Sequence, residues 1–461
     1  MKIDIFNPAH PSQKVASYSE TDPSDIGAII AKAQKAQLEW GQVPQPERGT
    51  ILNAYLDALA ARSEEIAASI TSEMGKLIGE SRGEVAKGIG EGRMTTARAG
   101  NPIGEVLPSQ IPGVTAYTTR RPRGVVLGIN PWNFPFSTPT RKTFPALVYG
   151  NAIILKPASI SPGACVLMQE IAKGILPDGL LQVVVGSGRL GGALSEHEGI
   201  DAISFTGSVG VGKEVALAAA SRLVEVNLEL GGKNPAIVND ASDLGAVADE
   251  IVKSAFAVSG QRCNAVSRVI VQTDLAEALT DALEARIAKL VLGEGADPAS
   301  QIGPLSSEQQ LRNVAGFVER AEAAGVRVVT GGPVEGDGGY YYGPTLLTDV
   351  TRDMEVARAE VFGPVLSVLS YVDIDDALDI ANGVAFGLAS CLFSERAEVI
   401  DAFAARSESG MLHINVGSFP ENHLPFVGVK QSALGVGGSN GASTVQFYTS
   451  EHTIYRRATV R

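Results

Sequence analysis

Apolar and polar positions follow two rhythms along this chain, and the change between them divides it. Over the first hundred residues the rhythm is mainly helical. In ERGTILNAYLDALAARSEEI, the residues Ile51, Leu52, Tyr55, Leu56 and Leu59 recur three and four apart and mark one apolar face. Ile26, Ile29, Ile30 and Ala33 form a similar stripe, and both read as core-facing. At residue 105 the rhythm breaks. EVLPSQIPGVTAYTTRRPRG is irregular, Pro-bearing and Thr-rich, the pattern of an exposed strand arm. Short apolar runs then alternate with helical stretches, and strands are predicted at 125–129, 152–156, 181–185 and 202–205. Pro162 sits at a favoured first-turn position of the helix in SPGACVLMQEIAKGI. Such alternation predicts parallel βαβ units and a doubly wound α/β sheet. After about residue 232 it restarts, with strands at 268–272, 326–330 and 365–371 and a helix from 274 to about 290, giving a second α/β lobe. VQFYTSEHTIYRR (445–457) reads as a strand able to pair with the 105–121 arm.

At 461 residues the chain is about three times a typical domain length, and 44% hydrophobic with 19% charged residues suits a large buried core. The formal net charge of −13 argues against nucleic acid or an anionic membrane as the main partner, because phosphate binding needs a basic surface. MKIDIFNPAHPSQK has no apolar signal core, and no uninterrupted apolar run approaches a membrane span, so a soluble, cytoplasmic protein is expected. Cys165, Cys263 and Cys391 are far apart and odd in number. With no CxxC pair and five histidines off ligand spacing, no metal site is expected. Each thiol is core filler or a reactive group.

Four segments look too specific for packing alone. In GINPWNFPF (128–136), two prolines and a Trp-Asn pair fix an irregular loop at a strand's C-terminal end, where open α/β sheets bind ligands. Asn133 there could present its amide to a developing negative charge or simply cap a turn. In ILKPAS (154–159), Lys156 ends a strand within reach of ribose hydroxyls or phosphate. SFTGSVGVGKEVA (204–216) runs from a strand through glycines into a helix, whose N-terminus offers unpaired N–H groups to phosphate. Gly207 and Gly212 are five apart, off the G-x-G-x-x-G spacing of the usual dinucleotide turn. The fourth segment pairs LELGGKNP (228–235) with SGQRCN (259–264). Glu229, between leucines, is placed for desolvation, a raised pKa and general-base work. Cys263 lies at a predicted loop-to-helix or strand-to-helix junction, where Arg262 or a helix N-terminus could favour the thiolate.

Taken in order, PWNFP, KPAS, FTGS, LELGGKNP, GQRC, EVFGPV (360–365) and LPFVGVKQSALG (424–435) resemble the aldehyde dehydrogenases nearly end to end. The resemblance implies an α/β, aldehyde-dehydrogenase-like fold. Its parts would be a Rossmann-type cofactor-binding domain (1–103 and 123–231), a second α/β catalytic domain (232–440) and a β-strand oligomerisation arm (104–122 and 441–461). A homodimer or homotetramer is implied, acting on a small-molecule aldehyde with NADP or NAD. Cys263 matches the nucleophile that forms a thiohemiacetal and then a thioester. Asn133, with the Cys263 N–H, matches the oxyanion donors, and Glu229 the base that activates water for hydrolysis. Asn130, Trp132 and Lys156 match positions that meet the adenosine half of the cofactor. Gly207 and Ser208, in the same turn as Gly212, match the pyrophosphate site. Leu230 matches the contact to the nicotinamide amide, Glu360 to the nicotinamide ribose, and Phe362 packs by the ring. Cys165 and Cys391 match no catalytic position.

Three departures from the family pattern bear on specificity. Ser159 stands where many NAD-preferring members carry a Glu that repels a 2′-phosphate, so NADP use is expected, and the choice between NADP and NAD stays open at this point. KQSALGVGG replaces the common KxSGxGRE. Ala433 and Gly437 take the places of a glycine and of an acidic proton acceptor, which leaves water or Glu229 to carry the proton. Arg262 flanks the nucleophile, where it can pair with a substrate carboxylate or phosphate or turn into a structural ion pair. Arg93 and Arg98 are further candidates for the substrate anion. These features resemble the succinate-semialdehyde dehydrogenase branch. LPFVGVK, preceded by Glu421 and Asn422, also resembles the non-phosphorylating glyceraldehyde-3-phosphate dehydrogenases. CoA-acylating relatives generally lack the base, so Glu229 favours water. A non-catalytic relative would lack one of Cys263, Glu229 and Asn133.

Overall fold

The computed structural model describes residues 2–334, 336, 338–435 and 439–459. Two α/β layers dominate. The first is a six-stranded sheet in the order Ala433–Gly435, Glu225–Glu229, Ala202–Thr206, Val125–Ile129, Ala152–Lys156 and Leu181–Val183. Its strands are parallel except Ala433–Gly435, which pairs antiparallel at the edge, Ala433 opposite Glu229. Val125, Val126, Leu127, Ile153, Ile154, Leu155 and Ile203 are fully buried, as expected of parallel strands covered on both faces. The helices Ile26–Gln42 and Gln45–Ala61 supply part of that cover. Ile30, Ala33, Leu52, Tyr55, Leu56 and Leu59 join the same core, while Ile29 and Ile51 are half-buried at its rim.

The second sheet has seven strands in the order Arg327–Pro333, Tyr342–Thr348, Val365–Tyr371, Val266–Gln272, Asn234–Val238, Ala389–Phe393 and Met411–Ile414. Only Arg327–Pro333 runs antiparallel to its neighbour. The strand Thr449–Arg457 pairs along the whole of Val114–Pro122, with Val106–Leu107 on the far side, so the two arm segments do meet.

Three local expectations are corrected. Residues 2–19 are not helical: Lys2–Asn7 and His10–Ser19 form an antiparallel hairpin. Most of its side chains are at least partly exposed, so no apolar stripe betrays it. Thr444–Tyr448 is a short helix rather than the start of a strand, because Thr444, Phe447 and Tyr448 bury into the first layer. Cys263 precedes the strand Val266–Gln272 instead of a helix, and the short 3-10 helix Ala257–Gly260 lies before it.

This topology sets up the site. Asn130, Gly207 and Leu230 follow the C-terminal ends of first-layer strands, where ligands gather in open α/β sheets. Cys263, Glu360 and Phe362 precede the N-terminal ends of two second-layer strands. The two layers therefore present opposite strand ends to one another.

Candidate active site

Between those strand ends lies a cavity of about 890 Å³. Its wall includes Asn130, Trp132, Asn133, Lys156, Ser159, Gly207, Ser208, Glu229, Leu230, Arg262, Cys263, Glu360 and Phe362. Gly212 is the exception among the expected site residues. It lies one turn into the helix Val209–Ser221, and a Cβ there would come within 2.6 Å of the Leu230 side chain, so its smallness serves packing.

Asn133 is buried, and its Nδ2 donates to the Gln261 carbonyl at 2.8 Å, two residues before the thiol. Cys263 itself is half-buried. Its thiol is pushed up to about 12, first by desolvation and then by Glu360 and Glu229, while Arg141 and Arg262 act the other way. The positive field anticipated from Arg262 is present but outweighed.

Glu229 ends its strand deep in the wall. One carboxylate oxygen, Oε1, accepts the Ser439 N–H at 3.1 Å. The other, Oε2, is buried with no hydrogen-bond partner among the described residues. Burial pushes this carboxyl up to about 7, against the pull of Lys142, Arg141 and Ser439. A carboxylate at that value serves as a base near neutrality. Lys142, which donates to Ser204 Oγ at 3.2 Å and Thr206 Oγ1 at 2.7 Å, is brought down to about 7 by burial. The proton acceptor missing at Gly437 falls outside the described residues.

The remaining wall suits a dinucleotide. Asn130 Nδ2 donates to the Gly128 carbonyl, and its buried Oδ1 has no hydrogen-bond partner among the described residues. Lys156 is buried and held below its ordinary value by desolvation. Gly188 and Gly192 face open space on the same wall, so backbone can approach a ligand there. The Gly207 N–H donates to the Glu229 carbonyl at 3.1 Å, and Ser208 caps the following helix without a side-chain hydrogen bond. The Leu230 N–H goes to the Ser432 carbonyl at 2.8 Å. Glu360, pushed up to about 7 by burial, accepts the Gly232 N–H at 3.0 Å, and a Cβ on Gly231 would collide with it at 2.1 Å. Phe362, with φ 55, meets Trp132 edge-on across 5.4 Å.

Arg262 is buried, and its guanidinium donates to the Ser418 carbonyl at 3.0 Å and lies 4.4 Å from the Phe419 ring centroid. No carboxylate pairs with it among the described residues. Arg93 instead pairs with Asp57 on the surface, and neither it nor Arg98 reaches the cavity. Two cavity cations escaped the sequence. Arg141 makes a two-pronged pair with Glu91 at 2.9 and 2.7 Å and stacks near Phe426. Lys87 Nζ donates to the Pro420 carbonyl at 2.8 Å, has no carboxylate partner among the described residues, and is brought down to about 8, chiefly by burial. Lys87, three residues after Glu84, reads in sequence as half of a surface helix pair. Only the placement of loop 418–426 turns it inward.

The aldehyde dehydrogenase family matches residues 1–454, and the chain belongs to that family. It is an NAD(P)-dependent aldehyde dehydrogenase with the fold of that family. It is 36% identical over 460 residues to an α-ketoglutaric semialdehyde dehydrogenase of Bacillus subtilis, covering 98% of this chain and 94% of that one. An α-ketoglutarate semialdehyde dehydrogenase of Haloferax volcanii is 37% identical over 462 residues, with coverage of 98% and 95%. In three dimensions the chain is similar to betaine aldehyde dehydrogenase of Staphylococcus aureus solved with NAD+, at TM-score 0.96, 29% identity and coverage of 100% and 92%. A 3,6-anhydro-L-galactose dehydrogenase solved with NADP gives TM-score 0.95 at 30% identity, with coverage of 99% and 96%. No helix among the described residues is long and apolar enough to cross a membrane.

Proposed function

We propose that this enzyme oxidises a small aldehyde bearing a distant carboxylate, a semialdehyde of the succinate or α-ketoglutarate kind, to the dicarboxylic acid. The observation that carries this reading is the pair Lys87, half-buried, and Arg262, buried, two cations on the cavity wall with no carboxylate in ion-pair contact among the described residues. Glu91 acts on Lys87 and Glu80 on Arg262 only from beyond ion-pair distance, and a substrate carboxylate would give these cations a charged hydrogen bond that neither now makes. The relatives named for α-ketoglutarate semialdehyde fit the same class.

In this reading Cys263 Sγ attacks the aldehyde carbon, and its proton passes toward Glu229. Asn133 Nδ2 exchanges the Gln261 carbonyl for the developing oxyanion, joined by the Cys263 N–H. Bound NAD(P) supplies the hydride acceptor. Asn130, Lys156, Ser159, Gly207, Ser208, Glu360 and Phe362 would hold it, with Leu230 beside the nicotinamide. Glu229, after passing the thiol's proton on to solvent water, takes a proton from water on its unpartnered Oε2 as that water attacks the Cys263 thioester. Ser159 in place of an acid supports NADP over NAD. We assign 1–103 and 123–231 to the cofactor domain and 232–440 to the catalytic domain. Residues 104–122 and 441–461 form the arm of a homodimer or homotetramer, and the enzyme works in the cytoplasm.

A panel of aldehydes tests the substrate. Arg262→Leu and Lys87→Met should each raise KM for carboxylated aldehydes on the order of tenfold, the worth of one charged hydrogen bond, with KM for neutral aldehydes nearly unchanged. Neutral aldehydes outrunning every carboxylated one in the unmodified enzyme would overturn the reading. Preference for glyceraldehyde 3-phosphate would move the same cations to a phosphate, and stimulation by CoA would replace water as the acyl acceptor.

A further inference from the structure

The helix Ile78–Thr96 sends acidic side chains toward both halves of the reacting pair. Glu80 and Glu84 are four apart and share one helix face. Glu84 is buried, and its Oε1 accepts two amide N–H groups, from Phe136 at 2.9 Å and Ser137 at 3.0 Å. Its other oxygen holds the Lys76 ammonium, and the two side chains are 1% and 0% exposed. Lys76 in turn donates to the Asn133 carbonyl at 2.6 Å and sits 4.1 Å from the Phe134 ring centroid. Both ends of the turn from Asn133 to Ser137 are thereby fastened to one carboxylate.

One helical turn earlier, Glu80 Oε1 accepts the Val258 N–H at 2.7 Å. Val258, Ser259 and Gly260 are consecutively left-handed, with φ 56, 53 and 70. A β-branched residue adopts that conformation only where its surroundings impose it. This turn delivers Gln261, Arg262 and Cys263 to the cavity, and Gly260 has no room for a Cβ because the Gly363 carbonyl would lie 2.2 Å away. Asn133 Nδ2 to Gln261 O, at 2.8 Å, closes the ring from helix to loop to thiol turn and back.

We infer that Lys76, Glu80 and Glu84 are positioning residues that fix the Asn133 amide and the Cys263 thiol relative to one another through a single helix face. A donor preorganised for an oxyanion loses its effect when displaced by about an ångström. The inference rests on the roles proposed above for Asn133 and Cys263.

A double-mutant cycle on the full-length enzyme tests it. Asn133→Ala should lower kcat/KM by about 10²- to 10³-fold. Glu84→Ala should lower it on the order of tenfold to a hundredfold, with cofactor Kd, read from Trp fluorescence, within about twofold of the unmodified enzyme. The double variant should be no slower than Asn133→Ala alone, because the clamp acts through Asn133. Losses that multiply would overturn the inference. A wild-type rate in Asn133→Ala would instead remove the reading beneath it. Should Glu84→Ala not fold, the neutral pair Lys76→Met/Glu84→Gln takes its place in the same cycle. For the thiol turn, Glu80→Ala should change the rate of Cys263 alkylation by iodoacetamide severalfold. Glu80→Gln, which keeps an acceptor for Val258, should restore it. Alkylation indifferent to Glu80→Ala would remove Glu80 from the network.

Discussion

At one end the cavity is walled by Gly188, Gly192 and Ser159 with Lys156, Glu196 and Glu214, whereas around Cys263 it is crowded with Glu229, Lys87, Arg141 and Arg262. The first wall works by shape, since glycines and a small hydroxyl admit backbone close to a ligand. The second works by moving proton affinities. Burial pushes Glu229 up to about 7 and brings Lys87 down to about 8, and the Cys263 thiol answers to four of its neighbours. Substitutions in the first wall should therefore change which cofactor binds. Those in the second should change whether chemistry happens at all.

The harshest break is Cys263→Ala. Oxidation, followed as reduced nicotinamide absorbance, should fall by roughly 10⁴-fold or more, while cofactor Kd stays within about twofold. Equal losses of both would erase the distinction between the two walls. Next comes Glu229→Gln, in which a burst of about one reduced cofactor per site should precede turnover slowed by about 10²-fold. In the unmodified enzyme, turnover should rise with pH through about 7 as Glu229 ionises, and this limb should vanish in the variant. The sign for stability is opposite. The folded protein binds this proton more tightly than the unfolded chain, so the carboxylate erodes stability as pH climbs from about 4.5 past 7. Glu229→Gln should accordingly raise Tm at pH 8, measured by calorimetry. The mildest test sharpens the other wall: Ser159→Glu should shift the NADP-to-NAD preference about tenfold toward NAD with kcat nearly constant.

Legibility in the sequence followed the same division. Strands 125–129, 152–156 and 365–371 were readable to the residue, because short, largely apolar runs that open after Gly, Asn or Pro allow little else. Asn133, Glu229 and Cys263 stood out through their motifs, and the cavity does gather them. The N-terminal hairpin was hidden because few of its side chains are buried. Lys87 and Arg141 were hidden for a different reason. Their inward orientation depends on Pro420 and Phe426, more than 280 residues away along the chain, and no local pattern encodes that. Gly212 marked a packing need against Leu230, which glycine spacing alone does not distinguish from phosphate contact.

The bond between Ser439 N–H and Glu229 joins residues 210 positions apart. The edge strand Ala433–Gly435, the Ser432 carbonyl on Leu230 and the Ser432 hydroxyl on Gly231 all close the same pocket from the same late segment. On a ribosome adding about 5–20 residues per second, the strand carrying Glu229 waits roughly 10–40 s for its edge partner. Through that interval a nascent chain displays an unpaired parallel-sheet edge, the kind of surface that invites pairing with another chain. Glu229 therefore gains its backbone donor and its strand gains its edge partner only once this late segment has been made.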